Sequence, residues 1–450
     1  MSATFESDYL IIGAGFSGLT LGFRLAQAGK TVIVIEGDSQ VGGLAADFQL
    51  GNGSKLERFY HHWFNSDTAI SGLVHDLGLS REVKEYPSRT GMYFNKAIWN
   101  LSAPLDLLRF KPLRFHNRLR LGVATLLVRL VKDYKKIESK SIREWLEPIF
   151  GKEVYKVVWE PLVNAKFSIY SEEVSAAWMW KKLVLRGSTR RKNGSESLLY
   201  IDGGFGLLAE KIAESIVQQG GQVICNERVK KILTNQIKIS KVMTENGNSY
   251  LAREVIFTGA PSQLTEIMDL GEFQDWEKKL NSIQYLGNIC LVLLLDRSLS
   301  DTYWLNVNDP GFPFVGVIEH TNLVSDAMYK DLHVVYLSRY IHPEHMDYRL
   351  PNHEYLEQSV NSLRKMFPNF EVKWIKESYV WRTKFAQPIT DKNYSRKLPS
   401  IETPFSNLYL HSMAQVYPED RGTNYAVQQS EILAKRLLIV ESTNLGGAMI

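Results

Sequence analysis

Apolar positions follow several arrangements along the 450-residue chain, and each predicts an element. Short unbroken runs at Tyr9–Ile12 and Thr31–Ile35 read as strands buried on both faces. Between them, an apolar stripe at helical spacing from about Ser17 to Ala28 predicts an amphipathic helix. The first 35 residues therefore predict one βαβ unit. Further on, "NICLVLLLD" and "LHVVYLSRYI" predict strands, and Glu354 to Met366 a helix. Residues 66–195 read as mainly helical. Within them, from Arg109 to Lys136, Leu119, Val123, Leu126, Leu127 and Leu130 recur at helical spacing. The final ten residues, "ESTNLGGAMI", carry no clear helix pattern. No apolar run reaches the ~20 residues that a transmembrane helix needs.

Composition narrows the class. With 44% apolar and 23% charged residues, the chain has material for a large core in two domains or one composite unit. A net charge of +4 is too mild for a dedicated nucleic-acid binder but leaves an anionic substrate or membrane surface open. Between Arg109 and Lys136, nine Lys or Arg face one Asp, which allows peripheral membrane contact through 109–136; an ordinary surface helix with its stripe on the core is the simpler reading. "STRRKNGSES" (Ser188–Ser197) is a second basic patch, read first as a loop. Cys225 and Cys290 are isolated, as expected of thiols in a reducing compartment. "MSATFESD" lacks the basic start of a signal peptide. The expected location is cytoplasmic, with peripheral contact at the inner membrane face as the variant reading.

The turn after the first predicted strand carries the clearest chemistry. Gly13, Gly15 and Gly18 fill G-x-G-x-x-G, and with Ala14, Phe16 and Ser17 they form a turn and helix start suited to a pyrophosphate. Glu36 ends the second strand 23 residues after Gly13, where a carboxylate accepts hydrogen bonds from an adenosine ribose. Strand, helix, second strand and acid fall in register, so a dinucleotide site is expected. A second glycine pair, Gly42-Gly43, followed by Leu44, comes a short loop later, which simple nicotinamide domains do not carry.

This spacing resembles the signature of two-dinucleotide-binding-domain flavoproteins, and other stretches extend the likeness. "YIDGGFGLLAEKIAESIVQQGGQVICNERVKKI" is similar to the segment by which flavin amine oxidoreductases return to their FAD domain, with Val229 where the backbone meets the adenine. "REVIFTGAP" resembles the strand and turn that follow. "YVWRTKFAQPIT" resembles the W-x-x-A-x-P segment, with Trp381, Ala386 and Pro388 in the matching places, and "NLYLHSMAQVYPEDRGTNYAVQQSEILAKRL" the closing strand, loop and helix. The chain thus resembles the flavin amine oxidoreductases, in particular their protoporphyrinogen-oxidase-like branch, whose fold UDP-galactopyranose mutases share. The resemblance implies an α/β protein: a discontinuous, Rossmann-like FAD domain (6–65, 196–268 and 401–440) and an α+β substrate domain formed by two insertions (66–195 and 269–400). It implies FAD as cofactor and Asn424 as a partner of the flavin dione edge or a ribityl oxygen. One departure stands out: where the family carries Gly-Asp in the closing strand, His411 and Ser412 stand here.

Catalytic residues are not fixed by spacing. "YHHWF" resembles the G-P-H-x-F-H loop of the mutases, with His62 in the place of the first histidine and Phe64 in that of the phenylalanine, but the Gly-Pro is absent. An imidazole from His61 or His62 beside the flavin can donate a hydrogen bond or shuttle a proton; packing at a domain interface is the competing explanation. Lys166 is a weaker candidate, more ordinarily a solvated or helix-end lysine. Trp159, Phe167, Tyr170, Trp178 and Trp180 can frame an apolar substrate or simply fill the core. The leading function is hydride transfer between bound flavin and an anionic or apolar small molecule in an interdomain cavity, with oxygen or a quinone accepting electrons. The alternatives are a non-redox mutase acting on a nucleotide sugar and a flavin-binding scaffold. A metal is not expected, because the histidines lack ligand spacing, and no G-x-S-x-G elbow supports hydrolase chemistry.

Overall fold

The computed structural model describes residues 3–100, 104–188 and 196–446. The predicted βαβ unit is present as β1 (Thr4–Ile12), α1 (Phe16–Gln27) and β2 (Val32–Ile35). Its strands lie in a seven-stranded sheet ordered 222–224, β2, β1, 249–257, 238–244, 229–235, with Leu408–Leu410 pairing on Ser249–Phe257. β1 is parallel to both neighbours: Tyr9 lies opposite Val32 on one side and Glu254 on the other. Its side chains alternate between two cores. Tyr9 and Ile11 pack with α1 and the helix Gly204–Gln218, while Leu10 and Ile12 pack with Ile33, Ile35, Val255 and Phe257. Cover on both faces is why this strand reads as an unbroken apolar run.

A second seven-stranded sheet is ordered 375–388, 285–295, 333–341, 316–319, 304–307, 90–94, 97–100. At its heart Tyr285–Leu295 pairs antiparallel with strands on both sides, and every residue from Leu286 to Leu295 is buried. Ile289, Leu291 and Leu293 face the helix Asn352–Met366 side, whereas Cys290, Val292 and Leu294 join the core around α1. The two sheets are therefore fastened through this strand. Each such buried aliphatic side chain contributes roughly 2 kcal/mol of burial free energy.

Helices Ile142–Phe150, Glu160–Phe167 and Ala176–Ser188 enclose a third core with Trp145, Phe167 and Trp178. The first opens on a capping box: Glu144 N–H donates to Ser141 Oγ (3.2 Å) and Ser141 N–H to Glu144 Oε2 (2.6 Å).

Residues 66–195 are mainly helical, as expected, with strands besides at Val83–Ser88, Thr90–Phe94 and Ala97–Asn100. The structure changes two other expectations. The final helix runs Thr423–Gly446, so 441–446 continue a helix where the sequence pattern showed none. And the stripe from Leu119 to Leu130 does not face a core; all five side chains are exposed. Residues 189–195 of the second basic patch lie outside the described residues. No described helix is long and apolar enough to cross a membrane, and among the described residues no group of three or more His, Cys, Asp or Glu could hold a metal ion.

Candidate functional site

Two glycine turns meet at the carboxyl end of β1. Gly13 (φ +109°) carries the chain from β1 into α1, and a Cβ there would lie 2.4 Å from Thr258 Oγ1. At Gly18 a Cβ would lie 1.9 Å from Gly13 O, so only glycine lets α1 cross this close to the turn. The second turn docks on the first: Gly42 N–H donates to Ala14 O (2.8 Å), and Gly42 and Gly15 form a parallel bridge. Above Gly15 the fold leaves a gap. A Cβ at that position would find nothing nearer than Gly43 Cα at 4.0 Å.

The start of α1 matches that gap chemically. Gly15 is its N-cap, no side chain caps the helix, and no acidic residue lies in its first turn. By contrast, the helix Gly204–Gln218 is closed by Glu57, whose Oε1 accepts from Phe205 N–H at 2.8 Å. An uncapped, glycine-lined helix start next to a second glycine turn fits a pyrophosphate. Glu36, just after β2, accepts from Ala14 N–H (2.8 Å, Oε2) and Asp38 N–H (2.9 Å, Oε1), and each oxygen keeps a further lone pair to which a hydroxyl can donate. Glu36 O in turn accepts from Glu227 N–H (2.7 Å), which fixes the edge of the loop leading to Val229.

The closing segment binds back onto this cradle. His411 Nε2 lies 2.7 Å from Ser430 Oγ, and that hydroxyl is within 2.8 Å of Ser17 O. His411 thus joins the final helix to the phosphate turn, while Ser412 caps the short turn Met413–Gln415. Burial pushes His411 down to about 4, so it is neutral at pH 7. The carbonyl oxygen of Asn424 is taken: it accepts from Ala69 and Ile70 N–H (3.1 and 3.2 Å) and caps the helix Thr68–Asp76. Any contact from Asn424 to a cofactor falls to its Nδ2 donors.

The two histidines part company. His62 Nδ1 lies 2.9 Å from Tyr303 OH, with its ring edge-on to Phe64 and Trp304. His61 turns toward the cradle: its ring sits 5.2 Å from that of Phe205, which in turn packs on Phe16 of the phosphate turn. His61 Nδ1 is 2.6 Å from Phe59 O, and since a carbonyl only accepts, Nδ1 carries the hydrogen and Nε2 the lone pair. Burial, reinforced by the charge of Arg421, lowers His61 to about 4 against the opposing pull of that bond to Phe59. His61 is half-buried by accessible area yet set deep in the protein.

Lys166 is neither solvated nor idle. From the last turn of Glu160–Phe167 its Nζ reaches Asp420 Oδ2 at 2.7 Å, lying between the rings of Trp178 and Tyr340 (5.3 and 5.4 Å). Lys182 reaches the same oxygen at 3.0 Å, and Trp178 Nε1 donates to Asp420 Oδ1 (3.2 Å). Burial works to raise Asp420, but the two lysines overcome it and hold the carboxyl well below its usual range. Lys166 is itself lowered, first by burial and then by Arg421, with Asp420 opposing. Arg421 Nη2 donates to Tyr340 OH (3.4 Å), and its Nε is buried without a hydrogen-bond partner. Trp159, Phe167, Trp178 and Trp180 all belong to the helical core or pack on it, as does Tyr170.

Asp420, Arg421, Lys182 and Tyr340 were not singled out by the sequence. The run "PEDRG" offered two acids and an arginine in an apparent loop, a pattern usual on solvated surfaces. Nearby, Tyr285, His342, Lys384 and Phe385 line an open cleft of about 590 Å³, and Tyr285 is also in range of Ser412 and Arg421.

The paired glycine turns, the uncapped helix and Glu36 together have the chemistry to take a dinucleotide. A family model for flavin containing amine oxidoreductases matches residues 16–419, and the chain belongs to that family, with FAD as its cofactor. The 15-cis-phytoene desaturase of Solanum lycopersicum is 26% identical over 323 residues, covering 66% of this chain and 54% of that protein. The chain thus spans about half the length of that relative. Among solved structures, an oxidoreductase from Methanosarcina mazei superposes with a TM-score of 0.72 at 18% identity, over 95% of this chain and 100% of its own. A reduced UDP-galactopyranose mutase superposes with a TM-score of 0.75 at 14% identity, over 96% and 94%. At these identities the likeness is one of fold.

The buried histidines set an acid limit. An unfolded histidine binds its proton near 6.5. His320, enclosed beside Tyr329 and Tyr200, binds only near 3 because burial opposes its charge. The unfolded chain therefore holds more protons below pH 6.5, and stability present above that pH is lost as the pH falls toward 3. Raised carboxyls such as Glu57 act in the opposite sense. The test is consequently a difference: the stability margin of wild type over His320→Gln should shrink by about 3 kcal/mol between pH 7 and pH 4 in denaturant titrations. A margin independent of pH would show that His320 is not held neutral by the fold.

Proposed function

We propose that this protein is an FAD-dependent oxidoreductase that moves a hydride between the flavin and an organic substrate lying between the two sheets. One observation carries the reading: the phosphate turn, His61 and the Lys166–Asp420–Arg421 group are linked through Phe16, Phe205 and the charge of Arg421 on His61. Gly13 to Gly18, Glu36, Gly42 to Leu44 and the backbone at Val229 hold the FAD, which supplies a two-electron acceptor. Residues 6–65, 196–268 and 401–440 form its domain, and 66–195 with 269–400 the substrate side. The substrate enters by the cleft at Tyr285. Neutral His61 takes a proton on Nε2 as the hydride leaves, while Arg421 and Lys166 leave a cationic excess over Asp420 that attracts an anionic group of the substrate. Oxygen or a quinone takes the electrons onward.

The test is anaerobic. Flavin reduced with dithionite should be reoxidised rapidly by oxygen or quinones, with no isomerisation of nucleotide sugars. Isomerisation that requires reduced flavin and shows no net electron flow would replace this reading with the mutase one. Once a substrate is found, His61→Ala should lower kcat on the order of 100-fold with flavin content unchanged; an unaltered kcat would remove His61 from the chemistry.

A further inference from the structure

The segment from 104 to 136 shows a helix with apolar side chains on two faces. Helix Phe115–Leu127 buries Asn117, Leu121 and Ala124, and Val128 continues that face into the helical core. On the outside Phe115, Leu119, Val123, Leu126, Leu127 and Leu130 stand in solvent, with Phe115 63%, Leu126 63% and Leu130 72% exposed. At about 100° per residue these six span an arc of roughly 120°, set apart from the buried arc. The clustering is local. Of sixteen exposed large apolar side chains among the described residues, seven lie between Leu108 and Leu130. A monomer leaves such a contiguous apolar patch uncovered only where it meets something.

The charges say what it meets. On the same helical projection Arg118 and Arg129 border one side of the outward arc and Arg120 the other, with His116 just inside that edge. Arg118 and Arg120 are anchored by backbone carbonyls, at Leu108 and Leu113 and at Pro148 and Ile149, so their positive charge is not cancelled by these partners. Lys132, Lys135 and Lys136 are exposed just beyond, beside Asp133, which with Asp106 makes two acids in 104–136 against nine lysines and arginines. An apolar stripe framed by cations is complementary to acyl chains beneath anionic headgroups. We propose that the outward face of 104–136 docks this protein on an anionic phospholipid bilayer, the apolar stripe entering the interface and the lysines and arginines lying at the phosphates. The proposal is independent of which substrate the flavin serves.

The experiment is flotation of the flavin-loaded full chain with vesicles of pure phosphatidylcholine and of phosphatidylcholine mixed with phosphatidylglycerol. Binding to the mixed vesicles that weakens with salt and is far lower on the neutral ones is expected. Leu126→Asp with Leu130→Asp should abolish it while flavin content stays unchanged. Because these side chains are exposed, the fold should tolerate the change. Should that variant lose flavin, a second one decides: Lys132→Gln, Lys135→Gln and Lys136→Gln together should lower partitioning about 100-fold, near fivefold for each charge. Failure of the wild type to float with mixed vesicles would overturn the proposal. So would equal binding of the charge variant, or a concentration-dependent dimer without lipid that Leu126→Asp disperses, which would assign the stripe to a second copy of this chain.

Discussion

Alanine at position 15 is expected to give a folded protein that has lost its yellow colour. Gly15 has φ −73° and ψ 176°, which alanine adopts without strain, and an added methyl would touch nothing nearer than Gly43 Cα at 4.0 Å. The apo fold should therefore be unaffected. The same methyl would stand in the gap between the two glycine turns, over the first N–H groups of α1. Displacing a pyrophosphate from one or two charge-assisted hydrogen bonds costs about 3 kcal/mol, or two orders of magnitude in affinity. The measurement is flavin content on purification together with titration of the apo-protein by FAD, beside a thermal melt without cofactor. Gly18→Ala makes the contrast: its Cβ at 1.9 Å from Gly13 O must push α1 off the turn, so the melt itself should drop. Full FAD affinity in Gly15→Ala would place the cofactor elsewhere.

The difference between these two glycines also shows what the sequence could reveal. Turn, helix and Glu36 lie within 24 residues, and local spacing dictated their geometry before any tertiary contact was known. The Lys166–Asp420 pair spans 254 residues, and neither partner carries a mark that distinguishes it from a surface charge. Asn424 illustrates a subtler limit: the resemblance implies a cofactor partner there, and no local pattern shows that its carbonyl also accepts from Ala69 N–H, 355 residues away. In Phe115–Leu127 the periodicity predicted a helix correctly but not its facing. Two apolar arcs compete there, and the smaller one, with Asn117 and Ala124, is the one that the helical core covers. Residues 441–446 are helical despite Asn444 and Gly446 because they prolong a helix already packed on α1.

Replacing Asp420 by asparagine is the second substitution with a large expected effect. Asp420 is the shared counter-ion of Lys166 and Lys182, and the pocket also holds the charge of Arg421 and the rings of Trp178 and Tyr340. Without the carboxylate three cations, Lys166, Lys182 and Arg421, remain in a site whose burial already works against Lys166. Breaking a buried pair in this way costs about 3–5 kcal/mol. The sign of the pH dependence follows. A lysine lowered in the folded state binds fewer protons there than when unfolded, so the variant should regain stability as the pH rises from 7 toward 10 and Lys166 sheds its charge. Adding Lys166→Met should recover part of the loss at pH 7, because the methionine fills the space between Trp178 and Tyr340 with no charge to compensate. Denaturant titration of the single and double variants at both pH values measures this. An Asp420→Asn protein as stable as wild type at pH 7, with no further change on adding Lys166→Met, would mean that solvent rather than Asp420 carries the lysine charge. The group would then lose its claim to be the cationic end of the substrate site.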